Sequence, residues 1–248
     1  MSEKNKYAEE WDVSAKFFYE QNVYDKLCTE ISKYHVVLEV GCGTGYSTLM
    51  LVESGHKVIS IEKNEVCIAK TKKLLEKHSI VIGNDITDIN NNQVILLQCD
   101  IVKEMFFTEV LPKLNFDIVV CWNVGTDWTS NTIRNYFPEM LQYGLKPDQI
   151  MQNKESSYSE LIIWNAAKCA NLKHVPVQLG ERGLFELNEN AEIYAYYCGL
   201  KDEFGYECIE IKNYKIESLS SGGKTLGVNE EVFNQEKVQL ILSSILLY

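Results

Sequence analysis

Residues 36–46 read Val-Val-Leu-Glu-Val-Gly-Cys-Gly-Thr-Gly-Tyr, and no other stretch narrows the fold as far. An apolar run ends in Glu39 and Val40. Three glycines follow at alternate positions, Gly41, Gly43 and Gly45, separated by Cys42 and Thr44. Glycines this dense behind a strand let the backbone approach a ligand that a Cβ would exclude. The carboxylate of Glu39 just ahead of them suggests a ligand with positive charge or hydroxyl donors at that end.

The chain around this turn alternates strand and helix patterns. Val36–Val40 reads as the first strand, Ser47–Glu53 as a helix stopped at Gly55, and Lys57–Ile61 as a second strand ending at Glu62. Glu65–Lys77 reads as a helix with Val66, Ile68, Ala69, Leu74 and Leu75 on its inner face. Strand–helix alternation of this kind implies a parallel sheet with right-handed crossovers. Further strands are expected at Val94–Gln98 and Phe116–Trp122; the latter, Phe-Asp-Ile-Val-Val-Cys-Trp, suits a central strand buried on both faces. Helices are expected over 7–33, near 103–113, and at Asn131–Tyr143 and Ser156–Asn171. Val175–Leu179, Glu192–Cys198 and Tyr206–Lys212 read as strands, the last two as an antiparallel hairpin across Gly199–Gly205. Ser218–Gly223 reads as a turn, and the pattern leaves the type of the closing Val238–Leu247 element open. The expected fold is α/β, doubly wound, with a mostly parallel seven-stranded Rossmann-like sheet and an antiparallel hairpin near the C-terminus. One domain is expected over 1–248: an amino-terminal helical lid region (1–33), a cofactor-binding core (34–147), and acceptor-side helices with the final strands (148–248).

Two kinds of nucleotide site compete for the glycine turn. A dinucleotide fingerprint needs Gly-x-Gly-x-x-Gly. Here the order is Gly-x-Gly-x-Gly, Tyr46 stands where the third glycine would fall, and Glu39 sits where pyrophosphate would be repelled. Both features point away from NAD. Glu62 follows Gly41 by 21 residues, close to the spacing at which an acid meets ribose hydroxyls, and a carboxylate accepts from both at once. Asp100 ends the third strand, and Asn123-Val124-Gly125-Thr126-Asp127 follows the fourth.

Together these residues resemble the class I S-adenosylmethionine-dependent methyltransferases. The run Glu39 to Gly45 is similar to the family's motif I, and Asn123 to Asp127 stands at its motif IV. The resemblance covers roughly residues 7–147. It implies S-adenosylmethionine as cofactor and S-adenosylhomocysteine as product, held by Glu39, Gly41, Cys42, Gly43, Gly45, Glu62, Lys63, Asp100, Ile101 and Asn123. It assigns Asp100 to the adenine amino group and motif IV to the methyl-transfer pocket. The Asn-Pro-Pro-Tyr form of motif IV, used by amino-directed nucleic acid enzymes of the family, is absent. A helix before the first strand often folds over the cofactor in this family, and Tyr7 or Trp11 would serve as that lid.

The 248 residues carry 35 acids against 24 bases, a net charge of −11, and only two arginines, Arg134 and Arg182. That balance disfavours capture of nucleic acid phosphates and favours a small-molecule acceptor. RNA or protein methylation, and a cofactor-binding module without catalysis, stand as alternatives. A homodimer is left open. Eight cysteines without Cys-x-x-Cys spacing read as reduced thiols in a cytoplasmic protein. No apolar run is long enough for a membrane span, and the four histidines have no partner at metal-ligand spacing. The loop Asp85–Gln93 lacks the residues of a calcium loop, and Ser218–Thr225 lacks the first glycine of a phosphate loop. Asp127, His174 and Glu181 are positional candidates for a base, none with a motif behind it. Arg182, beside two glycines, could bind a carboxylate or phosphate, although a structural pair is the commoner use of such a residue.

Overall fold

A computed structural model describes residues 2–83, 85–122, 131–224 and 237–248. The parallel core consists of β1 (Val36–Val40), β2 (Lys57–Glu62), β3 (Ile82–Gly83), β4 (Val94–Gln98), β5 (Ile118–Trp122) and β6 (Val177–Gly183). An antiparallel pair, β7 (Ile209–Leu219) and β8 (Lys237–Leu247), completes it. The sheet has eight strands in the order β3-β4-β2-β1-β5-β6-β8-β7. Chain direction reverses only where β8 meets β6 and β7. All five residues of β5 are buried, as a continuous apolar run in a central strand requires.

Helices cover both faces. One face takes α1 (Glu3–Glu20), α2 (Val23–Glu30), α3 (Tyr46–Glu53) and α4 (Glu65–Lys77). The other takes α5 (Thr132–Tyr143), α6 (Pro147–Gln152), α7 (Lys154–Leu172) and α8 (Glu192–Phe204). Period-two alternation along the strands divides the core accordingly. Val37, Val58, Ile118 and Val120 pack with Phe18, Leu27, Leu49 and Leu75. Leu38, Ile59, Val119 and Leu179 pack with Met140, Leu161, Ala166 and Tyr197.

Several expectations are corrected. The helix expected over 7–33 is broken at Asn22, which takes a left-handed φ of 54° between α1 and α2. The segment near 103–113 is a π-helical turn, Phe106–Val110, followed by a 3₁₀ turn, Leu111–Lys113. Glu192–Cys198 is not a strand but the first half of α8. Its aromatic residues favour strands, yet Tyr197, Leu200 and Phe204 recur at helical spacing, and Gly205 closes the helix with a φ of 69°. The antiparallel hairpin is therefore β7–β8, not a pair across Gly199–Gly205, and the closing element is a strand. Six of the seven expected strands are present, and the closing β8 and the two-residue edge strand β3, too short to carry a sequence pattern, bring the sheet to eight. Among the described residues no helix is long and apolar enough to cross a membrane.

Candidate functional site

The glycine turn leaves β1 where the strand order switches, between β1 and β5, the place where open α/β sheets hold ligands. Gly41, Gly43 and Gly45 all have positive φ, at 76°, 56° and 93°. The Gly41 N–H is tied to the Ile61 carbonyl at 2.8 Å, which fixes the start of the turn against β2. The glycines then divide by role. A Cβ on Gly43 would meet nothing within 4 Å, so this position opens onto space. Gly45 faces α4 instead, with Thr71 against it. The Thr71 hydroxyl donates back to the Gly43 carbonyl at 2.9 Å and holds the turn open.

Glu39 lies behind the turn rather than in the space before it. Its carboxylate is buried and accepts from the Ser47 hydroxyl, from Thr48 at 2.6 Å and from Ser60 at 2.7 Å. Burial raises its pKa, and the three hydroxyl donors pull the other way. Glu39 thus locks the first turn of α3 to β1 and β2.

Glu62 is placed at the mouth. One oxygen accepts from the Gly43 N–H at 3.1 Å and the other from the Asn64 N–H at 2.8 Å, which leaves a free lone pair on each. Burial raises its pKa, and the backbone donors at Asn64 and Gly43 oppose that shift. Asp100, just past β4, accepts from the Val102 N–H at 3.1 Å and from the Tyr136 hydroxyl at 2.8 Å. Lys63 donates to that same hydroxyl at 3.0 Å, and its ammonium lies 4.2 Å from the Tyr158 ring centroid. Sequence spacing alone did not announce this Lys63–Tyr136–Asp100 chain, because Tyr136 comes from α5, on the far side of β5 in the sequence.

These groups surround one partly open cleft. Of the residues named from the sequence, Gly41, Cys42, Gly43, Glu62, Lys63, Asp100 and Ile101 line it; Glu39 and Gly45 do not. Asn123 and the base candidate Asp127 lie outside the described residues. Tyr7 and Trp11 of α1 also line the cleft, and Tyr24, Trp122, Tyr158 and Ile162 extend its apolar wall. The last four carried no sequence signal beyond their burial pattern. Two buried polar atoms on the lining, Trp11 Nε1 and Thr44 Oγ1, have no hydrogen-bond partner. The Cys42 thiol is raised well above its ordinary value by burial, first of all, and by the nearby carboxylates, so it lines the wall as a neutral thiol.

Glu181 and Arg182 stand at the carboxyl end of β6. His174 lies before the start of β6, at the opposite end of the sheet, so it does not belong to this site. Among the described residues no group of three His, Cys, Asp or Glu side chains is placed to hold a metal.

The cleft thus lies at the carboxyl ends of β1, β2 and β4. Residues 37–148 match the methyltransferase domain family. A protein-L-isoaspartate O-methyltransferase from Christiangramia forsetii is 50% identical over 48 residues, which cover 19% of this chain and 22% of that protein. The chain thus matches only about a fifth of that relative's length. A crystal structure of a candidate RNA methyltransferase from Pyrococcus horikoshii shares the fold, with a TM-score of 0.50 at 12% identity, over 91% of this chain and 83% of that one. Magnesium protoporphyrin IX methyltransferase from Synechocystis, solved with S-adenosylmethionine bound, aligns with a TM-score of 0.46 at 13% identity, over 92% and 79% of the two chains. Residues 37–148 therefore carry a methyltransferase domain, in agreement with the resemblance that the glycine turn shows.

Proposed function

We propose that this protein transfers a methyl group from S-adenosylmethionine to a small-molecule acceptor. One observation carries the reading. The Gly43 backbone, the Glu62 carboxylate and Asp100 line a single cleft. The residues suit this cofactor. Glu62 has a free acceptor site on each oxygen for the two ribose hydroxyls, and Asp100 and Ile101 offer an acceptor and an apolar wall to the adenine. Gly41 and Gly43 let the amino-acid end lie against the backbone, and Thr44 Oγ1 is free to bond it.

When bound, the cofactor supplies a methyl group already activated by its sulfonium. The chain's own residues then have to align the acceptor and exclude water. Trp11, Tyr24, Trp122 and Tyr158 provide a largely apolar enclosure for that purpose. The acids sit under the turn and at the ribose and adenine ends, where they bind without stabilising the sulfonium charge that the reaction removes. The net charge of −11 supports a small acceptor over a nucleic acid.

The test is calorimetric. Titration with S-adenosylmethionine should show saturable heat, and titration with NAD none. Glu62→Ala should weaken the first by at least about tenfold, the scale of one charged hydrogen bond. Equal affinity for NAD, or a Glu62→Ala variant that binds as the wild type does, would sink the assignment.

A further inference from the structure

We infer that the Tyr24 hydroxyl selects the methyl acceptor, by donating a hydrogen bond to an uncharged, flat, apolar molecule that carries a carbonyl-type oxygen. The inference rests on the methyltransferase reading and names the substrate class for the same cleft.

The sheet order divides the cleft. In the run β4-β2-β1-β5, Glu62 and Asp100 stand at the ends of β2 and β4, on one side of the glycine turn, and Trp122 ends β5 on the other. The charged residues of the lining, Glu62, Lys63 and Asp100, all belong to the first side. The second side is lined by Trp11, Ala15, Tyr24 and Trp122, none of which carries a charge. The ribose and adenine of the proposed cofactor go to the acids, which leaves the second side for the acceptor. A charged molecule would lose hydration there without gaining a partner, so a neutral one fits.

Tyr24 is firmly held on this side. Asn22, with its left-handed backbone, turns the chain into α2, and Tyr24 lies in the first turn of that helix. Its ring stacks on Trp122, with centroids 6.3 Å apart and planes 17° from parallel, and stands at 87° to Phe18, 6.4 Å away. The residue is 4% exposed, yet it belongs to the cleft lining. Neighbouring polar groups are already committed. The Trp122 indole N–H donates to Gln178 at 3.1 Å, and the Ser47 hydroxyl donates to Glu39. The Tyr24 hydroxyl has no hydrogen-bond partner among the described residues, and it keeps accessible surface. Burial raises its pKa and Arg182 opposes the rise only in part, so the phenol stays protonated and can donate.

A donor in an apolar wall costs little while water reaches it. It becomes costly once a ligand displaces that water without replacing its bond. The occupant of this side therefore has to accept from Tyr24. Trp11 and Trp122 supply aromatic surfaces beside it, which suit a flat ring. A neutral aromatic compound with a carbonyl-type oxygen meets these conditions together.

Calorimetry on protein saturated with S-adenosylhomocysteine tests this with three probes. Acetophenone carries the carbonyl, α-methylstyrene has a methylene in place of that oxygen, and benzoate adds a charge. The wild type should bind acetophenone saturably, about tenfold more tightly than α-methylstyrene, and benzoate more weakly than acetophenone. Tyr24→Phe keeps the ring and its stack. It should bind the two neutral probes equally, with S-adenosylhomocysteine affinity within about twofold of the wild type. The wild-type preference does not depend on the folding of the variant. No saturable acetophenone binding by the wild type, no preference over α-methylstyrene, or a preference that survives in Tyr24→Phe would overturn the inference. So would tighter binding of benzoate than of acetophenone. An equal loss of S-adenosylhomocysteine and acetophenone affinity in Tyr24→Phe would assign the hydroxyl to the cofactor instead. Binding of S-adenosylhomocysteine to the wild type is measured first. Its failure counts against the methyltransferase reading, whereas its success without the acetophenone preference counts against the role of Tyr24 alone.

Discussion

Gly45 stands so close to Thr71 that a Cβ built on it would lie 2.7 Å from the threonine Cγ2 and 3.0 Å from its Cα. Its φ of 93° adds a conformational penalty for any side chain. Gly43, two residues earlier, has open space where its Cβ would go. Two glycines of one motif thus differ in role: Gly45 serves helix packing, and Gly43 opens onto the space where the proposed cofactor would lie. Gly45→Ala should lose about 3 kcal/mol of stability, from the clash with α4 together with the strained φ. Gly43→Ala should lose about 1 kcal/mol of stability and yet bind S-adenosylmethionine more weakly by tenfold or more. Urea denaturation and calorimetry on both variants check the pair. Equal loss of stability in the two would contradict the division.

Glu39 gives a second contrast. Its two oxygens serve three hydroxyls, from Ser47, Thr48 and Ser60, in a buried pocket under the turn. Glu39→Ala strands the Ser47 hydroxyl and leaves Thr48 and Ser60 only each other, at 3.3 Å, and should cost about 3 kcal/mol. Glu39→Gln keeps an acceptor oxygen and should cost about half as much or less. If Glu39→Gln is nearly as stable as the wild type but binds S-adenosylmethionine at least about tenfold more weakly, the carboxylate reaches the ligand directly, as its place in the sequence motif implies.

A third expectation concerns the chain Lys63–Tyr136–Asp100. Tyr136 donates to Asp100 Oδ2 and accepts from Lys63, so it fixes the carboxylate's orientation without lining the cleft. Tyr136→Phe keeps the ring on which the Lys63 ammonium lies, 4.6 Å from its centroid. The variant should bind S-adenosylmethionine several-fold more weakly, about 1 kcal/mol, with a smaller change in stability. A change in the unfolding midpoint with no change in cofactor affinity would make the hydroxyl a packing detail.

The parts of the site that were readable in the sequence are those written locally. Glycines behind an apolar run, and acids at 62 and 100 after two more such runs, carry their meaning within a few residues of a strand end. The parts that were not readable are contacts between distant segments. Thr71 against Gly45, Tyr136 against Asp100, and Arg182 against Trp11 and Phe18 exist only once the helices have packed, and no spacing rule encodes them. The misread helix α8 has a different cause. Tyr194, Tyr196 and Tyr197 raise strand propensity, but the burial of Tyr197 and Leu200 against α7 and the stop at Gly205 outweigh it. Strand β3 escaped because two residues cannot show a period.

Glu181 makes the site's stability depend on pH. Burial pushes its carboxyl up from 4.5 to about 7, with the neighbouring Arg182 drawing it partly back. A raised folded-state value means that the folded protein prefers the neutral acid. The contribution is complete below the unfolded value near 4.5 and is lost as pH rises through about 7. Glu181→Gln, which is neutral at every pH, should therefore be more stable than the wild type at about pH 8, by up to ~3 kcal/mol, and the gap should close toward about pH 4.5. Urea denaturation at several pH values measures this. A gap that does not change with pH would mean that the carboxylate is paired when charged. The same titration bears on catalysis. If this carboxylate takes the acceptor's proton, the methylation rate will rise through the same window near pH 7 and Glu181→Gln will flatten that limb, whereas a purely structural Glu181 would leave the pH profile of the rate unmoved.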